Sequence, residues 1–171
     1  MPNQAPPVVL IGPPASGKTK IGKRVAKLLG VSHLDTDQVI VAGYGPIPEI
    51  FQTMGEPKFR DLERQAVVEA LATHQVVSLG GGAVTHPDTR ADLAHHTVIG
   101  LTISEDAVSH RLNNDKRPLL RNGITDWVEL VKKRQPLYDE VTTWSVDVSH
   151  RSADEVAEQI VSWLKTKDHT P

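Results

Sequence analysis

Residues 8–19 read VVLIGPPASGKT, a short apolar run followed by a loop that matches the pattern G-x-x-x-x-G-K-[ST]. The run Val8–Ile11 predicts a strand, and the segment Lys18–Leu29 places apolar residues at helical spacing. A glycine-rich loop between a strand and a helix turns successive N–H groups inward and forms a nest for phosphate groups. The sequence therefore predicts a nucleoside triphosphate site near its N-terminal end.

Polar residues at the end of this loop have roles in phosphate binding. Lys18 brings a positive charge to the outer phosphates, and the hydroxyl of Thr19 is suited to ligate Mg²⁺. The motif does not identify the reaction, because GTPases, ATPases, motor proteins and small-molecule kinases all use it. A GTPase would carry N-K-x-D to read guanine, and residues 113–116 (NNDK) have the wrong order. An ATPase would end a strand in a carboxylate, whereas the run Val76–Leu79 ends in glycines.

Composition narrows the range of functions. The chain has 171 residues and a formal net charge of −2, so no basic surface field predicts binding to nucleic acid. It has no cysteine, which excludes disulfides and thiolate metal sites and fits a reducing compartment. No apolar run reaches the roughly 18 residues that a membrane span needs, and residues 1–7 do not resemble a signal peptide. A cytoplasmic protein without a membrane partner is the prediction.

Aliphatic runs alternate with segments of helical spacing along the chain. The runs are Val8–Ile11, Val31–Leu34, Val76–Leu79, Thr97–Ile103 and Ser145–Val148. Helical spacing occurs in Lys18–Leu29, in Pro57–Thr73, after Ser104, and after the capping box at residues 152–155. This alternation predicts an α/β fold, with a five-stranded parallel sheet flanked by helices on both faces.

One polar and basic segment interrupts the alternation. Residues 113–123 (NNDKRPLLRNG) have neither helical nor strand periodicity. A loop of this length in a compact domain is usually either functional or disordered. The sequence predicts an irregular segment here and leaves those two alternatives open.

Aspartates and glycines follow the second and third predicted strands. Asp35 and Asp37 follow the second strand, and residues 80–82 (GGG) follow the third. Ligands of open parallel sheets bind outside the carboxyl ends of the strands. One aspartate could hold Mg²⁺, and the other could accept the proton of a substrate hydroxyl. The alternative is that the aspartates only cap the next helix and that the glycines form a flexible turn.

Taken in order, these residues resemble the shikimate kinase family. The motifs are GPPASGKT at 12–19, DTD at 35–37, IFQTMGEPKFRDLE at 50–63, GGG at 80–82, RPL at 117–119 and RQPLY at 134–138. No motif after the first is specific by itself, but the ordered set over residues 8–151 is. The resemblance implies a P-loop, nucleoside-monophosphate-kinase-like sandwich of three layers. It also implies one domain over residues 1–171, with a lid at about 112–124 and a substrate-binding region at about 37–63.

The resemblance implies transfer of the γ-phosphoryl group of ATP to the 3-hydroxyl of shikimate. It further implies Mg²⁺ as the cofactor and a monomeric enzyme. Two alternatives remain open at this point. One is another kinase of this scaffold, for gluconate or a nucleoside monophosphate, and the other is a nucleotide-binding module that no longer phosphorylates.

The resemblance also implies the residues of the site. Mg²⁺ would be held by Thr19 directly and by Asp35 through water. ATP binding is assigned to Gly12, Ala15, Ser16, Gly17, Lys18, Thr19, Lys20, Arg111, Arg117 and Arg151. Shikimate binding is assigned to Asp37, Arg60, Gly81, Gly82 and Arg134. The catalytic residues would be Lys18, Asp37 and Arg117, the last of them on the lid.

Several of these side chains also have a plainer interpretation. Arg60 has Glu56 and Glu63 at helical spacing, so it could form only a solvated ion pair, or Glu63 could orient it. Phe51 and Phe59 could give the substrate ring an apolar wall or could simply pack in the core.

The same holds for the remaining cations and for the histidines. Arg134 could be one more charge of the basic run 132–134, and Arg117 could belong to a solvated loop. The eight histidines have no metal-ligand spacing, and most are predicted to lie at the surface.

The sequence departs from the family pattern at several places. The acid that usually follows Ile40 is replaced by Val41, and the stretch 39–48 is one residue shorter than usual. In the phosphate loop, residues 13–14 are prolines, which cannot donate an N–H. Residues 152–153 (SA) replace a proline near the adenine position. These departures bear on shikimate affinity and on nucleotide preference.

Overall fold

A computed structural model describes residues 7–114 and 123–167 of the chain. In chain order, its strands and helices are β1 (Val8–Ile11), α1 (Lys18–Leu29), β2 (His33–Asp35), α2 (Thr36–Tyr44), α3 (Ile47–Met54), α4 (Glu56–Thr73), β3 (Val76–Ser78), α5 (Pro87–Leu93), β4 (Thr97–Thr102), α6 (Glu105–Asn114), α7 (Ile124–Val141), β5 (Trp144–Asp147) and α8 (Ala153–Lys167). A short 3-10 helix at Ala83–Thr85 lies between β3 and α5.

Within the described residues, the five strands form one parallel sheet in the order β2-β3-β1-β4-β5. Strand β1 lies at the centre, where Val9 is opposite Val77 of β3 and Val98 of β4. The loops that follow β1 and β3 are therefore neighbours at the carboxyl edge of the sheet. The expected α/β fold with a five-stranded parallel sheet is confirmed.

Helices cover both faces of this sheet. On one face, α1 and α8 pack against strand residues such as Leu10, and Ile160 of α8 is fully buried there. On the other face, Val67 of α4 and Leu93 of α5 pack against Val9. Successive residues of β1 thus point to opposite apolar layers, which explains its uninterrupted apolar run. None of the helices in residues 7–114 and 123–167 is long and apolar enough to cross a membrane.

The sequence locates α1 at both ends but misplaces β2. Helix α1 ends at Leu29, and Gly30 follows in the left-handed conformation with φ 69°. The predicted strand Val31–Leu34 instead begins at His33. The N–H of Val31 is used in a 3.0 Å hydrogen bond to the carbonyl of Ala26, which closes the end of α1.

Helices α3 and α7 were not predicted, and α2 was expected only as the helix that the aspartates could cap. Helices α2 and α3 occupy residues that the sequence marks mainly by glycine and proline. Gly45, with φ 88°, separates the two helices, and Pro48 lies in the first turn of α3, where proline is favoured. Helix α7 continues through Pro136.

The irregular segment expected at 113–123 is only partly covered by the structure. The expectation is wrong for Asn113 and Asn114, which continue α6. Residues 115–122, including Arg117, lie outside the described residues.

Candidate active site

The phosphate loop joins β1 to α1 at the carboxyl edge of the sheet. Gly17 has φ 85° and Ala15 has φ 68°, so two residues of the loop have a left-handed backbone conformation before α1 begins. Such turns aim successive N–H groups at one point. The ammonium group of Lys18 donates hydrogen bonds to the carbonyl oxygens of Gly12 (2.8 Å) and Pro13 (3.0 Å). Lys18 therefore lies across the loop.

Side chains from inside and outside the loop hold its carbonyl groups. The hydroxyl of Ser16 donates to the carbonyl of Pro13 at 2.7 Å. Arg111 of α6 donates to the carbonyl of Ala15 at 2.6 Å. The indole N–H of Trp127 in α7 donates to the carbonyl of Pro14 at 2.8 Å. No functional role was predicted for Trp127, because nothing in its local pattern separates it from an ordinary core aromatic residue.

The carboxylate of Asp35 caps the next helix, as one of the two alternatives predicted, and its second oxygen contacts the phosphate loop. One carboxylate oxygen, Oδ1, accepts a 3.0 Å hydrogen bond from the N–H of Gln38 and so caps α2. The other, Oδ2, accepts a hydrogen bond from the hydroxyl of Thr19. The neighbouring Thr36 is buried, and its hydroxyl oxygen accepts a 3.1 Å hydrogen bond from the N–H of Gly80. This threonine, to which the sequence assigned no role, ties the first residue of α2 to the glycine loop.

Each glycine of the loop at 80–82 faces a different polar side chain. The pairs are Asp37 with Gly80, Arg134 with Gly81 and Arg60 with Gly82. A Cβ atom at Gly82 would lie 2.7 Å from Nη2 of Arg60, and one at Gly80 would lie 2.9 Å from Oδ2 of Asp37. Real Cβ atoms do not approach other atoms so closely, so a side chain at either position would displace the facing Asp37 or Arg60 side chain, and glycine permits their close approach. The role of Gly80 was missed by the sequence analysis.

The glycine loop also presents backbone donors. Among the described residues, the N–H groups of Gly81 and Gly82 have no hydrogen-bond partner, in contrast to that of Gly80. Two backbone donors thus lie beside Asp37, Arg60 and Arg134. Such a set can bind a small anionic polyol through both its carboxylate and its hydroxyl groups.

Arg60 is held by carboxylates of its own helix. It donates to Oε1 of Glu63 at 2.8 Å and lies 3.6 Å from the carboxylate of Glu56. Glu63 is only 3% exposed, so this is not a solvated surface pair. Burial raises the pKa of Glu63, although Arg60 opposes that shift. Phe59 is a core residue with the Arg60 guanidinium 5.3 Å above its ring, and Phe51 packs against it at 4.8 Å.

The titration of two side chains is shifted by the site. Burial lowers the pKa of Lys18 to about 8, although the carboxylates of Asp37 and Asp35 oppose this shift. Burial and the nearby charge of Asp35 raise the pKa of Asp37, against the effect of Lys18 and the two arginines. A carboxylate with a raised pKa is a better proton acceptor than an ordinary aspartate.

A cleft of about 1070 Å³ runs along the phosphate loop. Among the residues assigned from the sequence, those lining it are Ala15, Gly17, Lys18, Thr19, Lys20, Asp35, Asp37, Gly81, Arg111 and Arg151. Gly12 and Ser16 belong to the same loop, and Arg60, Gly82 and Arg134 lie at the glycine loop. Val41, which replaces the family's usual acid, is 42% exposed and forms an apolar part of the wall.

The start of α1 is also tied to a histidine. The hydroxyl of Ser78 donates to the carbonyl of Lys18 at 2.8 Å, so its oxygen accepts the 2.9 Å hydrogen bond from Nε2–H of His33. This contact requires Gly22, since a Cβ there would lie 2.7 Å from Nε2 of His33. His33 is thus an exception to the prediction of surface histidines.

A metal ion in this region would have to be bound by oxygen ligands. Within residues 7–114 and 123–167, no group of three or more His, Cys, Asp or Glu side chains could hold a metal ion. The hydroxyl of Thr19 and the carboxylate of Asp35 are in contact at the mouth of the phosphate loop. A hydroxyl and a carboxylate are ligands that Mg²⁺ accepts together with phosphate oxygens and water.

Comparisons with known proteins agree with this geometry. A family model described as Shikimate kinase matches residues 14–165. The shikimate kinase of Mycobacterium avium (strain 104) is 47% identical over 169 residues, which is 96% of this chain and 96% of that protein. A solved structure of shikimate kinase from Acinetobacter baumannii in complex with shikimate superimposes with a TM-score of 0.90 at 31% identity, covering 98% of this chain and 97% of that one.

Proposed function

This chain belongs to the shikimate kinase family, and we propose that the residues gathered at the carboxyl edge of its sheet bind and phosphorylate shikimate. The chain is an ATP-dependent phosphotransferase, and the reaction transfers the γ-phosphoryl group of ATP to the 3-hydroxyl of shikimate. This family assignment decides against gluconate and nucleoside monophosphates as the acceptor, and against a module that only binds nucleotide.

One observation supports the residue assignment above all others. Asp37, Arg134 and Arg60 each contact one glycine of the loop at 80–82, beside the phosphate loop. A Cβ atom at Gly81 would lie 3.5 Å from the carbonyl oxygen of Gly12. The acceptor and the phosphate donor would therefore be held by two adjoining backbone loops.

Arg60 and Arg134 would hold the carboxylate of shikimate. A planar guanidinium binds a carboxylate bidentately and so fixes its orientation as well as its charge. The free N–H groups of Gly81 and Gly82 would donate to ring substituents. Glu63 would keep Arg60 in position.

Asp37 would act on the 3-hydroxyl. Its carboxylate oxygen accepts the hydroxyl proton while the substrate oxygen forms a bond to the γ-phosphorus. The bond from that phosphorus to the β,γ-bridging oxygen breaks, and ADP leaves. Lys18 would neutralise negative charge on the phosphoryl group as it is transferred. Phosphoryl transfer needs positioning and charge neutralisation more than covalent chemistry.

Thr19 and Asp35 would hold Mg²⁺. Their contact at the mouth of the loop gives an all-oxygen pair of the kind that Mg²⁺ binds. When bound with ATP, this ion neutralises charge on the phosphates. The chain's own part is to present the hydroxyl of Thr19 directly and the carboxylate of Asp35 through water.

Other features stay predictions. Arg111 and Arg151 would flank the adenine, and Arg117, with the lid at about 112–124, would close over the phosphates. Arg117 lies outside the described residues. One domain over residues 1–171, a monomeric state and a cytoplasmic location are likewise proposed from the family resemblance.

The direct test is ADP release from MgATP with shikimate, gluconate, AMP or no acceptor, measured side by side. We expect strong stimulation by shikimate alone. Equal stimulation by gluconate or AMP would refute acceptor selection by the arginine pair and Asp37. ATP binding without any stimulation by shikimate would refute the acceptor site while leaving the phosphate loop intact.

A further inference from the structure

Tyr138 lies one helical turn after Arg134 on α7 and is buried under the glycine loop. Its side chain belongs to the apolar layer between α7 and the sheet and is only 3% exposed. Its hydroxyl donates a 2.6 Å hydrogen bond to the carbonyl oxygen of Gly81. The hydroxyl is thus the one polar group of a side chain that is otherwise packed in an apolar layer, and it binds the Gly81 carbonyl of the site.

A hydrogen bond that fixes the direction of the Gly81 carbonyl also fixes the direction of the Gly82 N–H, which belongs to the same peptide group. The C=O of Gly81 and the N–H of Gly82 belong to one planar trans peptide group, so they point in opposite directions. With the C=O held by Tyr138, the N–H of Gly82 points away from α7. That N–H has no partner among the described residues, and the Cα of Gly82 faces the guanidinium of Arg60.

The same phenol also interacts with Arg134. Burial raises the pKa of Tyr138, whereas the charge of Arg134 and a hydrogen bond from its guanidinium oppose that shift. Arg134 in turn lies against Gly81, since a Cβ there would be 3.4 Å from its Nη1 atom. The Tyr138 hydroxyl and the Arg134 guanidinium therefore both lie at Gly81, the first on its carbonyl oxygen and the second facing its Cα.

We propose that Tyr138 is a positioning residue for shikimate, which orients the Gly81–Gly82 peptide and holds it in register with Arg134. The inference rests on the proposed acceptor site and adds a residue to it. Tyr138 is not among the residues that line the cleft along the phosphate loop. Its loss should consequently affect the acceptor and spare the nucleotide.

Tyr138→Phe removes only the hydroxyl and tests this proposal. We expect the KM for shikimate to rise about tenfold, the effect of one lost hydrogen bond. The KM for MgATP and the kcat should stay within about twofold. Ser162→Ala is the control, because it removes an exposed hydroxyl on α8, outside the substrate-binding region, and should change none of these constants. A shikimate KM within twofold of wild type, or an equal rise in both KM values, would overturn the proposal.

Arg134→Ala, measured in parallel, separates this inference from the function on which it rests. If Arg134→Ala raises the shikimate KM and Tyr138→Phe does not, only the role of Tyr138 fails. If neither variant changes it, the acceptor site itself was assigned wrongly.

A spectroscopic test keeps the Tyr138 hydroxyl in place, so its result does not depend on whether Tyr138→Phe folds. The chain has two tyrosines, so the Tyr44→Phe protein labelled with 3-fluorotyrosine carries a single fluorine, on Tyr138. We expect its ¹⁹F resonance to shift when shikimate is added and to stay in place when MgADP is added. A resonance that ignores shikimate, or that responds equally to MgADP, would contradict the proposed link.

Discussion

The carboxylate of Asp37 occupies the space that a side chain at position 80 would need, with Oδ2 2.9 Å from where a Cβ of Gly80 would lie. Gly80→Ala should therefore push Asp37 out of place while the protein still folds, since a carboxylate at the end of a side chain can move. We expect kcat to fall by up to about 10²-fold, the usual cost of a misplacement of roughly 1 Å. Steady-state kinetics with circular dichroism would check this.

Gly43→Ala is the control for that variant. An added Cβ at Gly43 meets nothing within 4 Å, and the residue lies inside α2. Alanine there does not displace Asp37, so it should leave the kcat unchanged and raise stability by about 0.5–1 kcal/mol. Equal kinetics for both glycine variants would contradict the steric account of the loop.

Asp37→Asn should leave MgATP binding intact and lower turnover by about 10²- to 10⁴-fold, because an amide cannot accept the proton of the attacking hydroxyl. In the wild-type chain the pKa of Asp37 is raised, so activity should fall as the pH drops through a value above that of an ordinary aspartate. Pre-steady-state ADP formation and a nucleotide titration would measure the two effects. Glu158→Gln, at an exposed position of α8, is the control. Turnover near wild type in Asp37→Asn would refute its role.

Arg134→Ala should raise the KM for shikimate by about 10- to 100-fold, the range expected for a lost hydrogen bond to a charged group. The KM for MgATP should change little. Lys133→Ala removes the exposed neighbouring charge and should leave both constants unchanged. Unaltered shikimate affinity in Arg134→Ala would exclude it from carboxylate binding, and an equal effect in Lys133→Ala would point to general electrostatics.

The pKa of Lys18, lowered to about 8, predicts how nucleotide binding depends on pH. Phosphate groups favour the charged ammonium, so the pKa should be higher in the complex than in the free protein. Affinity for MgATP should then be level below pH 8 and weaken above it, by up to about tenfold per pH unit. Equilibrium titrations across this range, with the unfolding midpoint measured at each pH, would test it. Affinity that stays level well above pH 8 would contradict the shifted pKa.

Much of this fold can be predicted from the sequence, because the patterns that define its strands and helices are local. The strand Val8–Ile11 and the helix Lys18–Leu29 are defined by periodicity, by the loop between them and by Gly30, and the structure confirms their bounds. Helix α7 was missed because Pro136 normally argues against a helix interior. Helix α2 was one stated alternative for the residues after Asp35, whereas α3 was missed because the glycines and prolines around it also fit a loop.

The site is harder to predict from the sequence, because its residues are distant in the chain and come together only in the folded structure. The ordered motifs named most of the residues that converge here. They gave no role to Thr36, Trp127 or Tyr138, each of which acts through a backbone group distant in the chain. A run of three glycines likewise does not say which side chain each one faces.

The hydrogen bond from Trp127 to the carbonyl of Pro14 makes the phosphate loop optically visible. Indole emission responds to a change in the polarity or charge around the ring. The other two tryptophans, Trp144 and Trp163, stack on each other with ring centroids 4.8 Å apart on β5 and α8. A nucleotide that enters the loop should alter the emission of Trp127 while this stacked pair serves as an internal reference, so the chain can report occupancy of its own ATP site without any added dye.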